Sequence, residues 1–232
     1  MEQLRIAAVV LAAGQSRRMG RFKPLLPLRG KPVLARVIEN VLSAGGIGPL
    51  VIVTGHDVDR VSPIILNYPV RAVHNAAYAS GGMLSSIQTG LATLKGEADA
   101  VFIVLGDQPM VRPQTLAATA AAWRCANPRP RIVLPTHAGK HGHPILLSAD
   151  GIDEVLSLST DQTLKAYTDR HVERTLELDI EDPAVLLDLD TPADYAAAIQ
   201  WLRDPNKTIS VRSTPCPSRP PGPSRSPAAS AG

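Results

Sequence analysis

Ile6-Ala7-Ala8-Val9-Val10-Leu11-Ala12-Ala13-Gly14-Gln15-Ser16-Arg17-Arg18-Met19-Gly20-Arg21-Phe22-Lys23-Pro24 passes from an apolar run to a small-residue turn and then to a cationic loop. The run over residues 5–11 reads as a buried strand. Ala12, Ala13 and Gly14 leave the chain bare, so a ligand could lie against backbone N–H groups. Arg17, Arg18 and Lys23 then gather positive charge beside those donors, a combination suited to a triphosphate. An ordinary strand followed by a basic surface loop would share these features. The stretch is not a Walker A loop, because residues 20–23 do not supply Gly-x-x-x-x-Gly-Lys-Ser/Thr. Nor is it a dinucleotide fingerprint, which fails at Ser16.

Outward from this stretch, strand-like and helix-like runs alternate. A helix is expected to start at Pro32, where the missing N–H costs nothing. Val33, Leu34, Val37, Ile38, Val41 and Leu42 form its apolar stripe, and Gly45-Gly46 ends it. Strands follow at residues 50–54, 70–73 and 100–105, and helices at 58–66 (broken near Pro63), 83–94 and 113–126. Residues 131–134 read as a strand stopped by Pro135. Further strands are expected at 143–147 and 172–178, with a helical stretch between. Thr191-Pro192-Ala193-Asp194 is a helix start, with Thr as cap, Pro at the first position and Asp at the third. The order implies an α/β domain over residues 1–203 built on an open, doubly wound, mostly parallel sheet. Such sheets bind ligands at the carboxyl ends of their strands.

The 232 residues, 44% of them hydrophobic, suffice for one sizeable core. The formal charge of +3 is that of residues 204–232 alone, where Lys207, Arg212, Arg219 and Arg225 face only Asp204. The body is neutral, so the basic balance is no argument for nucleic acid. Aromatics at 3% leave little surface for stacking single strands. Seven of the 21 prolines fall in 204–232, which lacks hydrophobic periodicity and is expected to be a disordered Pro/Ser/Arg-rich tail. Cys125 and Cys216 have no metal-ligand spacing, which fits a reducing cytoplasm. Met1 to Gly14 loosely mimics a signal peptide, but its apolar run is short and the phosphate-loop motif begins inside it. No segment approaches a membrane span.

Three further constellations carry chemistry. Gly106-Asp107-Gln108-Pro109 follows a buried strand, so Asp107 is either a fixed oxygen ligand for Mg²⁺ or a local turn acceptor. Asp188-Leu189-Asp190 puts two carboxylates on one face of an extended chain, where a cation would relieve their repulsion. Alternatively, Asp190 adds charge at the following helix N-terminus. Gly81, Ser85 and Ser86 introduce a helix whose free N–H groups could meet a ribose or base, or are ordinary caps. His141-Gly142-His143-Pro144 lacks neighbouring Cys or acidic partners for a metal site.

The loop resembles the signature Leu-x-x-Gly-x-Ser-x-Arg-Met-Gly-x-x-Lys of the MobA-like nucleotidyltransferases, matched by Leu11, Gly14, Ser16, Arg18, Met19, Gly20 and Lys23. Within that family the Leu-Ala-Ala-Gly form is similar to the molybdenum cofactor cytidylyltransferase branch. The resemblance implies a Rossmann-like nucleotidyltransferase fold over about residues 5–203. It implies transfer of CMP from CTP to the phosphate of molybdopterin, with release of pyrophosphate. Lys23, Arg18 and Asp107 are then the catalytic candidates. Leu11, Ala12, Ala13, Gly14, Ser16, Arg17, Arg18, Lys23, Gly81, Ser85 and Ser86 would bind nucleotide. Gly142 and His143 would meet the acceptor, and Asp107 and Asp190 would hold Mg²⁺ or Mn²⁺, with Asp190 favoured over Asp188. A molybdoenzyme would receive the product. Leu84 departs from the family's serine, and residues 159–163 lack its Gly-Asp-x-Gly. Both departures bear on the substrate. The rivals are another phosphorylated acceptor (a sugar 1-phosphate or methylerythritol phosphate), a non-catalytic molybdopterin chaperone, and a generic nucleotide-binding regulator.

Overall fold

The computed structural model describes residues 4–159 and 161–203. The expected tail from Asp204 onward lies outside them. The chain runs β1 (Ile6–Ala12), β2 (Pro27–Leu28), β3 (Lys31–Pro32), α1 (Val33–Ser43), β4 (Leu50–Thr54), α2 (Val58–Ile65), β5 (Arg71–His74), α3 (Gly82–Thr93) and β6 (Ala100–Leu105). It continues with α4 (Pro113–Cys125), β7 (Ile132–His137), β8 (Lys140–His141), β9 (Ile145–Ser148), α5 (Ala149–Ser157), α6 (Leu164–Arg170), β10 (Thr175–Asp179) and α7 (Pro192–Trp201).

The main sheet has the order β10-β7-β9-β6-β1-β4-β5, with β8 paired to β7. β6, β1, β4 and β5 run parallel, as do β10 and β7, and β9 lies antiparallel between β6 and β7. β1 shows why a continuous apolar run becomes a central strand: both of its faces are covered. Ile6, Ala8, Val10 and Ala12 pack beneath α1, α2 and α4, while Ala7 and Val9 pack beneath α3 on the other face. α3 approaches very closely: a Cβ at Gly90 would lie 2.3 Å from a methyl of Val9. A third cluster, with Met19, Leu28, Val33, Met110, Leu189 and Ala198 buried, joins the cationic loop to α7. The chain builds outward from β1 through β4 to β5, then returns to β6 on the other side of β1. That reversal opens a crevice at the carboxyl ends of β1 and β6. Among the described residues no helix is long and apolar enough to cross a membrane.

The two prolines expected to interrupt elements do not. α2 continues past Pro63, anchored by buried Val61 and Ile65, with the Ser62 hydroxyl donating to the Val58 carbonyl at 2.8 Å. β7 continues through Pro135, because its missing N–H falls beyond the end of the β9 ladder, which stops at Val133. The proline carbonyl, on that same side, accepts from Gly142 N–H at 2.8 Å. The strand expected at 143–147 starts only at Ile145, since the His143 N–H is turned to the Val185 carbonyl at 2.9 Å. Residues 172–174 form a single 3₁₀ turn before β10 rather than its first residues. α1 begins at Val33, with Pro32 ending the small β2–β3 hairpin.

Candidate active site

The loop after β1 is shaped by its own residues. Ser16 takes a left-handed backbone (φ 54°), and its hydroxyl accepts from the Lys23 N–H at 3.0 Å. Met19, 4% exposed, pins the loop into the third core cluster. These two contacts fold the segment back so that Lys23 points to the ends of β1 and β6. There Gly106 is required by close approach, because a Cβ would sit 2.5 Å from the Leu11 carbonyl oxygen. The turn that follows presents Asp107. The Asp107 carbonyl accepts from Leu189 N–H at 3.1 Å, which docks the 188–190 segment alongside. Buried Gln108 fixes that segment further, donating to Asp188 Oδ1 at 2.8 Å.

Three chain segments thus meet at one point. Lys23 Nζ lies 2.8 Å from Asp107 Oδ2 and 2.8 Å from Asp190 Oδ1, and an Arg18 guanidinium nitrogen is 2.9 Å from Asp190 Oδ2. Burial pulls the Lys23 ammonium pKa down, but hydrogen bonds and charge from both aspartates outweigh it, and the pKa is raised. Asp188 is pushed above the usual carboxylate range, first by burial and then by the neighbouring charge of Asp107. Helix capping falls to Thr191 and Asp194: the Thr191 hydroxyl accepts from Asp194 N–H at 3.3 Å and the Asp194 carboxylate accepts from Thr191 N–H at 2.7 Å, a full capping box in which the Asp190 side chain takes no part. Among the described residues no three or more His, Cys, Asp or Glu side chains gather around a metal point. Two converging carboxylates nevertheless suit a hard divalent ion that takes its other ligands from phosphates and water.

A cleft of about 390 Å³ opens above this point. Of the residues expected to bind nucleotide, Leu11, Ala12, Ala13, Gly14, Ser16, Arg18, Lys23 and Ser86 line it, with Asp107 and Asp190 at its floor. Arg17 sits to one side with its guanidinium on Gln15 Oε1 at 2.6 Å. Ser85 is off the cleft: its hydroxyl donates to the Gly82 carbonyl and accepts from Asn75. Asn75, 3% exposed, also holds the Ser86 hydroxyl at 3.0 Å and takes the Ala77 N–H at 3.0 Å. It thereby ties β5 to the start of α3. Tyr78 and Met83 line the cleft without having been singled out in the sequence for a ligand contact; Gly82 and Asp188, the less favoured of the two paired acids, line it as well.

A second cavity, about 670 Å³, shares Gly82 and Met83 with the first and holds Gly81, Gly142 and His143. Apolar Leu84, Ile87, Leu134, Ile145 and Leu164 form one part of its wall, and Ser80, His141, Asp161, Gln162, Thr163, Lys165 and Thr168 supply polar groups. His143 Nδ1 is buried there with no hydrogen-bond partner. Burial pushes the His143 pKa below the usual 6.5, against opposing effects from an Ile103 backbone hydrogen bond and Asp107. The unfolded chain therefore takes up a proton before the folded one as pH falls below about 6.5. Wild type is expected to lose stability across that window, and His143→Gln to lose less. Thermal unfolding midpoints from pH 7.5 down to 5 measure this; equal slopes for both proteins would refute the assignment.

This geometry can be set beside known proteins. Residues 8–175 match the model of the MobA-like NTP transferase domain. The chain is 28% identical over 194 residues to the molybdenum cofactor cytidylyltransferase of Escherichia coli K12, covering 83% of this chain and 95% of that protein. It is 30% identical over 140 residues to a probable molybdenum cofactor guanylyltransferase of Methanosarcina mazei, 57% of this chain and 62% of that one. A Mycobacterium tuberculosis H37Rv protein, solved as a complex with manganese, superposes with a TM-score of 0.69 at 28% identity, covering 84% of this chain and 98% of that chain. Similarity over nearly the full length of the E. coli protein, a cationic loop feeding a two-carboxylate cleft, and a domain match across most of the sheet agree: the chain is a nucleotidyltransferase of the MobA-like NTP transferase family.

Proposed function

We propose that the chain transfers CMP from CTP to the phosphate of a molybdopterin-type acceptor and releases pyrophosphate. The observation that carries this reading is the convergence of Lys23, Arg18, Asp107 and Asp190 at the floor of a cleft walled by Ala12, Ala13 and Gly14. Cytosine is favoured by the Leu11-Ala12-Ala13-Gly14 form of the loop and by the E. coli relative. A molybdopterin-type acceptor is favoured over a sugar phosphate by the similarity to the E. coli relative, which extends over 95% of that protein. Gly142 and His143 would contact that acceptor, and the reducing cytoplasm is its proposed setting.

In the reaction an oxygen of the acceptor phosphate attacks the α-phosphorus. The bond from that phosphorus to the bridging oxygen breaks, and pyrophosphate leaves with the electron pair. The backbone of residues 12–14 holds the triphosphate in line, while Lys23 and Arg18 neutralise charge on its oxygens. The nucleophile is already anionic, so the site needs no strong general base. Asp107 and Asp190 would hold a divalent ion, which would supply charge neutralisation at the reacting phosphate.

Thermal shifts with CTP, GTP, ATP and UTP in Mg²⁺ test the base, since a ligand of the native state alone raises its melting point. CTP is expected to give the largest shift. A pyrophosphate-release assay with molybdopterin, a sugar 1-phosphate and methylerythritol phosphate then tests the acceptor. Release only with a sugar 1-phosphate would overturn the acceptor reading. Absence of release with every acceptor would favour a non-catalytic molybdopterin carrier.

A further inference from the structure

We infer that Lys23 is a displaceable counter-cation that closes the Asp107–Asp190 pair to a divalent metal until a triphosphate draws the ammonium away, so that metal and nucleotide bind cooperatively. The inference rests on the nucleotidyltransferase reading of the cleft and adds an order of events to it.

The carboxylate oxygens that would meet a metal are already in use. Asp107 Oδ2 and Asp190 Oδ1 both hold Lys23 Nζ at 2.8 Å, and Asp190 Oδ2 holds Arg18 at 2.9 Å. A hard divalent ion such as Mg²⁺ binds carboxylate oxygen at about 2.0–2.1 Å, in the space the ammonium fills between the two acids. Both cations cannot sit there at once. The lysine is no casual surface partner: its side chain is 13% exposed, and its backbone N–H is fixed on Ser16 Oγ at 3.0 Å. Arg18, by contrast, is 73% exposed and can swing. An incoming metal without nucleotide must therefore evict a largely covered ammonium and leave it without its carboxylate partners, which opposes binding. A triphosphate changes the balance, because its oxygens give Lys23 and Arg18 new anionic partners as the carboxylates are vacated. Two ligands that each favour the same rearrangement raise each other's affinity by the same factor.

The test uses the full chain and Mn²⁺ alone, with free ion read from its electron paramagnetic resonance signal. Wild type is expected to bind Mn²⁺ weakly without nucleotide. Lys23→Met keeps the stem, removes the competitor, and is expected to bind Mn²⁺ about tenfold more tightly or better. Lys23→Gln serves the same purpose should the methionine variant fold poorly. Adding Asp190→Asn to either variant should abolish the gain, which locates the ion on the pair. Metal-free triphosphate binding should move the opposite way, weakening in both lysine variants. Wild type binding Mn²⁺ as tightly as Lys23→Met would overturn the proposal, as would failure of both lysine variants to bind it. The underlying reading fails separately: that requires wild type to release no pyrophosphate with any nucleotide in the presence of metal.

Discussion

Lys23→Ala is expected to bind every nucleoside triphosphate about 10- to 150-fold more weakly than wild type while remaining folded. Losing a charge-assisted phosphate contact costs roughly 1.5–3 kcal/mol, and each 1.4 kcal/mol is tenfold in affinity. The fold should survive, because Lys23 belongs to no hydrophobic cluster and the loop keeps Met19 and the Ser16 turn. Alkaline pH gives an independent readout. The Lys23 pKa is raised above its usual 10.5 by Asp107 and Asp190, despite burial. The stability this supplies is complete below 10.5 and is lost as pH climbs through the higher folded-state value. Wild type should therefore lose this contribution at alkaline pH, whereas Lys23→Ala, having none to lose, should fall less steeply. Isothermal titration with the four triphosphates, together with melting curves from neutral to strongly alkaline pH, checks both halves. Unchanged affinity for all four would show that Lys23 serves only as partner to the two acids.

The parts of the site that were legible in the sequence are those whose cause is local. The strand, the small-residue turn and the cationic loop are contiguous, so residues 11–23 announce both the β1 end and the charge gathered there. The α7 start was legible for the same reason: Thr191, Pro192 and Asp194 form a cap within four residues. What escaped depends on partners far away in the chain. Asn75 is an unremarkable polar residue after a short strand until its amide meets Ser85 and Ser86. Gln108 sits inside a motif read for its aspartate, yet its buried amide fixes Asp188, eighty residues on. The serines show the limit of helical periodicity: it places Ser85 and Ser86 at the start of one helix, but only packing against β5 decides that Ser86 lines the cleft and Ser85 does not.

Proline misled for a related reason. A lost N–H matters only where a partner waits for it. At Pro135 the neighbouring ladder has already ended, and at Pro63 the helix is held by burial of Val61 and Ile65. Leu84 was noted as a lost hydroxyl beside the ligand. Its side chain is 3% exposed, part of the core beneath α3 and of the second cavity's wall, so its effect falls on the apolar side of that cavity.

The largest effects on turnover should come from the two acids that meet Lys23. Asp107 follows β6 and Asp190 precedes α7, and the Leu189–Asp107 backbone bond brings them to one point. Asp107→Asn and Asp190→Asn should each weaken nucleotide binding in Mg²⁺ and cut turnover by about 10²-fold or more, the scale of several kcal/mol of lost charge stabilisation. With nucleotide present, metal should also stabilise wild type more than either variant, because each variant lacks one of the two carboxylates that would hold the ion. Asp188→Asn is the internal control. Burial and the charge of Asp107 already raise the Asp188 pKa, so its ionised form costs the folded state increasingly as pH rises above the usual 3.8. An asparagine there keeps an oxygen for the Gln108 amide without that cost, so folding should hold or improve at neutral pH and turnover should fall least of the three. Melting curves in the presence of nucleotide, with and without Mg²⁺, alongside pyrophosphate release, rank the variants. If Asp188→Asn abolished turnover while Asp190→Asn retained it, the ligand assignment would be reversed. If neither Asp107→Asn nor Asp190→Asn altered the response to Mg²⁺, the two-carboxylate metal site would fail for this chain.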